Sequence, residues 1–411
     1  MTATATGVDL SSLDLGDHAH WQPEPPYELL AQMRREAPVH FSRNDRYPGE
    51  GGFWSLTRAA DVHAATRDFE TFSSEGRGIF LIDDIGLPLE VQRLQMISMD
   101  PPRHDRLKQL VGKAFTPKRI AAHEDTVRQI ICDVLDEFSD ADRCDLVHDI
   151  ARPVPARVIG SLLGTPLEDD SKLLRWTNVA TAFEDPDIRS GWGDSADEMV
   201  DVVNYINAVR EEHIAHPTDD LLNGLINAEV DGDRLNELEI ATFFILLLAA
   251  GNDSTRATYS ATMRALMNDP KQRQLLLDDP SRIPAAVEEG LRCFPAFSFM
   301  GRMTTRDVEI NGTTIPAGER VLLWYIASNR DPELFEDPER FDLTREGLEK
   351  HQAFGARGRH FCLGAALARM ELRIWIEETL RRFPDMQQDG ETKRVQALFL
   401  NQYRSIPVRL R

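Results

Sequence analysis

Cys362 stands two residues after His360, behind a loop rich in glycine and arginine and in front of an apolar-faced helix ("FGARGRHFCLGAALARM"). Leu363, Leu367, Met370 and Ile374 recur there at helical spacing and predict one buried face. A thiol at a helix N-terminus meets unpaired backbone N–H groups and the positive end of the helix dipole, and both favour the thiolate. Alone, such a cysteine reads as a small buried hydrophobe. A metal-ligating thiolate, however, needs N–H donors, a tight glycine turn and an apolar wall, and Phe354 to Gly364 supply all three. Two further constellations carry chemistry. Glu289 and Arg292 (ExxR) share a helix face, which in isolation makes a surface ion pair. In "LLAAGNDSTR" the carboxyl of Asp253 and the hydroxyls of Ser254 and Thr255 follow an apolar run, a grouping suited to proton transfer. Read alone, Gly251 to Ser254 is a turn between two helices.

The elements that must position these groups are mostly helical. A helix is predicted from Tyr27 to Arg35, and strands at "PVHFS" and "GFWSLT". Ala59 to Asp269 reads as successive helices broken at Pro101-Pro102, Pro153-Pro155, Asp185-Pro186 and His216-Pro217. Asn311-Gly312 between β-branched runs predicts a hairpin, and "VQALFLN" with "IPVRLR" a last strand pair. Strands and helices do not alternate, which excludes a doubly wound sheet, and "FGARG" lacks the dinucleotide-binding spacing. The 411 residues carry a net charge of −21, which argues against nucleic acid or an anionic membrane as the general partner. The acidic first twenty residues are no signal peptide, and the apolar run Ile240 to Ala250 is too short to span a bilayer. Cys132, Cys144, Cys293 and Cys362 lie far apart, with no CxxC, and read as free thiols of a reducing cytoplasm.

The cysteine loop, ExxR and the Asp253 segment, in this order, make the sequence from Tyr27 to Arg411 resemble the cytochrome P-450 (haem-thiolate monooxygenase) family. The resemblance implies a single-domain, mostly α fold with small β-sheets over 27–411, behind an N-terminal extension of 1–26. Haem b (iron protoporphyrin IX) would lie between the central helix and the cysteine-loop helix. By resemblance Cys362 is the axial iron ligand, Phe354 belongs to the cofactor loop, and His104, Lys108, Arg302 and His360 hold the haem propionates. Glu289, Arg292 and, in "DPERF", Arg340 form a structural cluster. Leu246, Ala249, Ala250, Phe297, Ser298, Phe299, Phe399 and Leu400 wall the substrate pocket. Three departures stand out: Ser254 replaces the usual threonine, Lys108 the usual arginine, and the cysteine loop is one residue longer than is commonest. The longer loop, "GGFW", "AGN" and "FLNQYRSIPVR" resemble the bacterial branch that oxidises sterol side chains and branched lipids.

The implied reaction inserts one oxygen atom of O2 into a C–H bond of a hydrophobic small molecule, with Asp253, Ser254 or Thr255 delivering protons. No flavin or iron–sulfur motif is present, so electrons are expected from a ferredoxin and its NAD(P)H-dependent reductase. Arg103, Arg106, Lys108, Lys113, Lys118 and Arg119, with Arg357 and Arg359, predict a basic dock for an acidic ferredoxin. The rival readings are a peroxide-driven or rearranging haem-thiolate enzyme and a non-catalytic haem-binding module.

Overall fold

Tyr27–Glu36 forms helix α1, and Val39–Arg43 (β1) pairs antiparallel with Gly52–Leu56 (β2), as the sequence predicts. There follow α2 (Ala59–Arg67), β3 (Phe72–Ser73), α3 (Arg103–Gly112), α4 (Pro117–Ala121), α5 (Glu124–Asp136) and β4 (Arg143–Asp145). Next come α6 (Pro153–Leu163), α7 (Ser195–Ala215), α8 (Glu237–Asn268) and α9 (Ile283–Cys293). The last third holds β5 (Phe299–Thr304), β6 (Val308–Ile310), β7 (Thr313–Ile315), β8 (Arg320–Trp324) and α10 (Ala365–Arg382). Short strands close the chain: β9 (Gln387–Gln388), β10 (Lys393–Arg394), β11 (Tyr403–Ser405) and β12 (Pro407–Arg409). This computed structural model describes residues 8–44, 51–82, 88–169, 171–173, 175–176, 185 and 195–411. The expected break at Asp185-Pro186 therefore lies partly outside the described residues. Pro153 opens α6 at its first turn, where a missing N–H costs nothing.

Helix α8 begins at a reciprocal cap. Asn236 Oδ1 accepts from the Glu239 N–H at 3.0 Å, and the Glu239 carboxylate accepts from the Asn236 N–H at 2.9 Å. It then runs unbroken through Gly251 to Ser254, so that stretch is no turn. Its 32 residues are long and apolar enough to cross a membrane, more than the run Ile240 to Ala250 suggests. They lie instead in the core, packed against α6, α9 and α10. Tyr259 of α8 stacks on Trp375 of α10 at 3.7 Å, and its hydroxyl bonds Thr379 at 2.7 Å.

Five strands form the main sheet in the order β1-β2-β8-β5-β3, with β2 parallel to β8. The β6–β7 hairpin turns on Asn311 (φ 50°) and Gly312 (φ 76°), the left-handed pair that its two-residue loop requires. The predicted last strand pair is corrected. Val395 and Ala397 to Leu400 are apolar and buried, but among them only Leu400 bridges to another strand-like residue, Phe297. β11 pairs with β10, while β12 lies between β9 and β4. Residue 26 is also no packing boundary: Leu15 and Trp21 are buried, and Trp21 stacks on Trp324 at 5.2 Å.

Candidate cofactor and substrate site

The cysteine loop is held from three sides. The Cys362 N–H donates to the Phe354 carbonyl at 2.9 Å, closing the turn. Gly355, Ala356 and Arg357 all have φ between 47° and 94°, so the chain reverses through three left-handed residues. A Cβ on Gly358 would overlap Thr66 at the end of α2, so only glycine fits that approach. Helix α10 starts at Ala365, three residues after Cys362, and its Leu367, Met370 and Ile374 form the predicted buried face.

The loop faces a cavity bounded by α8, whose empty space is about 1440 Å³ with its mouth included. Its lining is mostly apolar, from Met96 and Phe115 to Leu367 and Leu372, as a site for a hydrophobic cofactor and substrate requires. Cys362 is exposed and lines this cavity. Burial pushes its thiol up, while the Gly364 N–H and the charges of Arg369 and Lys108 oppose that.

His104, Lys108, Arg302, Phe354 and His360 line the same cavity. The rings of His104 and His360 lie 4.2 Å apart, and His360 Nε2 meets Ser74 Oγ at 3.1 Å. Arg302 is buried, donates to its neighbour's carbonyl (Gly301, 2.6 Å), and has no carboxylate partner among the described residues. A buried guanidinium without a counter-ion is costly unless an anion joins it. A thiol facing cations across one large apolar cavity fits haem and its carboxylates. Lys108 Nζ is bound to backbone instead, to the carbonyls of Arg359 and of Phe361 (3.3 Å).

On α8, Ser254 and Thr255 both line the cavity. Each hydroxyl bonds back one turn, Ser254 Oγ to Ala250 O at 2.6 Å and Thr255 Oγ1 to Gly251 O at 3.2 Å. Ser254 is the more open of the two, for Thr255 is buried. Asp253 does not line the cavity. It is buried and ion-paired with Arg256, and burial raises its carboxyl against the pull of Arg256 and Arg152.

The Glu289–Arg292 pair is fully buried, bidentate at 2.6 and 2.8 Å. The second arginine is corrected. Arg340 is exposed and turns toward Asp342 at 3.8 Å, contributing only its carbonyl. Arg345 instead reaches Glu289 at 3.3 Å with its side chain buried.

The pocket wall is corrected in part. Leu246, Ala250 and Phe297 line the cavity, whereas Ala249, Ser298, Phe299, Phe399 and Leu400 do not. Phe299 and Phe399 form the layer behind, their rings 5.5 Å apart and that of Phe299 4.9 Å from Trp324. Sequence reasoning missed Met96, Ile97, Phe115, Ile159, Phe243 and Met300 in the wall. It also missed Glu371, a buried cavity residue whose Oε1 has no partner and whose carboxyl burial pushes up to about 8. Its position one turn after Leu367, inside the apolar stripe, was the available signal.

The family model "Cytochrome P450" matches residues 281–404. The chain is 37% identical to a methyl-branched lipid omega-hydroxylase of Mycobacterium tuberculosis, over 98% of this chain and 95% of that one. A steroid C26-monooxygenase of Mycolicibacterium smegmatis is 33% identical over 92% of this chain and 88% of its own. A Mycobacterium marinum cytochrome P450 solved with pseudoionone superposes with a TM-score of 0.88 at 34% identity, covering 98% of this chain and 100% of that one.

Proposed function

Because this chain belongs to the cytochrome P450 family of monooxygenases, we propose that it hydroxylates the aliphatic end of a methyl-branched lipid or steroid side chain with electrons from a ferredoxin. The observation that carries this reading is the near full-length likeness to a branched-lipid omega-hydroxylase. The wall supports it: Met96, Ile97, Phe115, Phe243, Leu246 and Phe297 offer shape and apolar surface. Cys362 would hold haem b, with Arg302, His104 and His360 toward its carboxylates, and the haem would supply oxygen activation. The chain's own residues bind and orient the substrate, exclude water through the apolar wall, and move protons at the Ser254 hydroxyl.

The test is turnover with ferredoxin, NAD(P)H and a ferredoxin reductase, offered a methyl-branched fatty acid, its straight-chain isomer and a sterol. A terminally hydroxylated product from a branched chain is expected. Equal turnover with peroxide alone would favour the peroxide-driven reading, and no product under any condition the binding-module one.

Ser254→Ala is expected to bind substrate and consume NAD(P)H, but to yield roughly tenfold less product per electron pair, the balance appearing as peroxide and water. Thr255→Ala should stay coupled. The reverse pattern would assign the proton to Thr255.

The docking surface is narrower than the basic run suggested. Arg103 is paired with Glu75 at 2.8 Å, Arg106 with Asp233 and Glu239, Arg119 with Asp219 at 3.8 Å, and Arg359 with Asp105. Lys113 reaches the Glu229 carbonyl. Lys118 and Arg357 are exposed with no carboxylate partner among the described residues. Charge reversal at these two should slow reduction by ferredoxin severalfold at low salt and little at high salt, with substrate affinity unchanged. A stopped-flow rate insensitive to both variants would remove this face from docking.

A further inference from the structure

Helix α3 grips the cysteine loop at three points. Lys108 Nζ donates to the carbonyls of Arg359 and Phe361. One turn earlier on the same face, Asp105 is ion-paired with the Arg359 side chain. The other oxygen of that carboxylate, Oδ1, lies 2.9 Å from Nδ1 of His104. A carboxylate has no proton to give, so Nδ1 carries the hydrogen and Nε2 remains the ring nitrogen not engaged by Asp105. His104 is buried and lines the cavity, its ring beside that of His360. The Arg359 guanidinium is fixed in turn over the Phe69 ring at 4.3 Å. Asp105 is thus one carboxylate holding two groups, a cavity-facing imidazole and an exposed cation of the cysteine loop.

We propose that Asp105 is a positioning residue, which sets the orientation and tautomer of His104 toward the haem carboxylates and clips the cysteine loop to α3. This rests on the haem assignment above. A carboxylate behind an imidazole fixes its ring and raises its basicity, and behind a metal-ligating imidazole the loss of such a partner costs about 10–100-fold in affinity or activity, an upper bound for a ring that holds a cofactor carboxylate. Although partial burial opposes it, the bonds from His104 and Arg359 hold the Asp105 carboxyl below its usual range, so the group is the anion that this role needs. The Asp105–Arg359 pair alone is half-exposed and contributes little. The bond to His104, whose ring is buried, carries the effect.

The experiment compares holoenzyme and the variants Asp105→Asn, His104→Ala and their double mutant. Haem transfer to excess apomyoglobin and the ferric/ferrous midpoint potential are measured. Asparagine keeps the shape of Asp105 and removes its charge. Asp105→Asn is expected to release haem about tenfold faster than wild type. Its midpoint should move upward, since loss of a negative charge favours the reduced state. In the His104→Ala background the same substitution should leave haem release unchanged, because Asp105 acts through that ring. Equal acceleration in both backgrounds, or wild-type release and potential in Asp105→Asn, overturns the proposal. Failure of the haem assignment itself would appear elsewhere, as a thiolate-type ferrous–CO spectrum surviving in Cys362→Ser.

Discussion

Purified Cys362→Ser protein is expected to lose the red-shifted ferrous–CO Soret band of thiolate haem, and its monooxygenase turnover should fall to background. Three features around the sulfur lead to this. Burial raises the Cys362 thiol, the Gly364 N–H, Arg369 and Lys108 oppose that rise, and a bound metal would complete the ionisation. A serine hydroxyl titrates far above any thiol, and the same three groups cannot make it a comparable donor. The electron push that favours O–O cleavage comes from sulfur, and oxygen does not replace it. Arg302, His104 and His360 are untouched by the substitution, so the variant should keep a measurable haem content. Haem content by the pyridine haemochrome assay must accompany the CO spectrum. A full haem complement with the band retained would assign the ligand elsewhere.

Arg292→Ala should be nearly as severe, through folding. All five guanidinium N–H groups of Arg292 are used: two on Glu289, and the others on the carbonyls of Asn329 (3.0 Å), Pro338 (2.7 Å) and Arg340 (2.9 Å). Truncation leaves the buried Glu289 carboxylate with Arg345 at 3.3 Å and the Asp342 N–H at 2.7 Å, and takes the guanidinium from the carbonyls of Asn329 and Pro338, while that of Arg340 keeps Arg345. Breaking one half of such a pair costs about 3–5 kcal/mol, a large part of the roughly 5–15 kcal/mol that holds a domain folded. The yield of soluble, haem-loaded protein should collapse. Arg292→Lys should fail almost as badly, since a point charge cannot reproduce five directed bonds. Arg345→Ala should be intermediate, and Arg340→Ala within about 0.5 kcal/mol of wild type, as for other exposed sites. Thermal midpoints of the four variants measure that order, and a severe Arg340→Ala would overturn the reassignment.

That reassignment marks where the sequence is legible. Cys362, Glu289 and Arg292 could be read because their partners lie within one turn or one loop, where spacing fixes geometry. Arg340 lies within "DPERF" and Arg345 shortly after it, and spacing does not reveal which side chain turns inward. The positive φ of Asp337 (44°) and the use of Arg340's carbonyl by both Arg292 and Arg345 decide it. The pairing of the basic run from Arg103 to Arg119 is hidden from the sequence for a related reason. A count of local charge cannot see Asp233 and Glu239, which reach Arg106 from 127 and 133 residues away. "VQALFLN" has the apolar content of a strand, yet it fills core space without a ladder partner beyond Leu400. The central helix was predicted in kind, and its continuity through four poor helix formers comes from packing on both sides, a tertiary effect that overrides propensity.

The parallel pairing of β2 with β8 has a consequence for synthesis. Trp324 Nε1 donates to Ser55 Oγ at 3.0 Å across 269 residues of sequence. A ribosome adding about 5–20 residues per second would need roughly 15–50 s to deliver β8 after β2 has emerged. Through that interval the β1–β2 hairpin has one long edge with no partner, the kind of edge that recruits strands from other chains. Phe41, exposed on β1 even in the finished fold, adds an apolar contact to that hazard. The nascent chain is therefore most exposed to aggregation before its last third is made, and variants that slow completion should be lost to inclusion bodies before they are lost to unfolding.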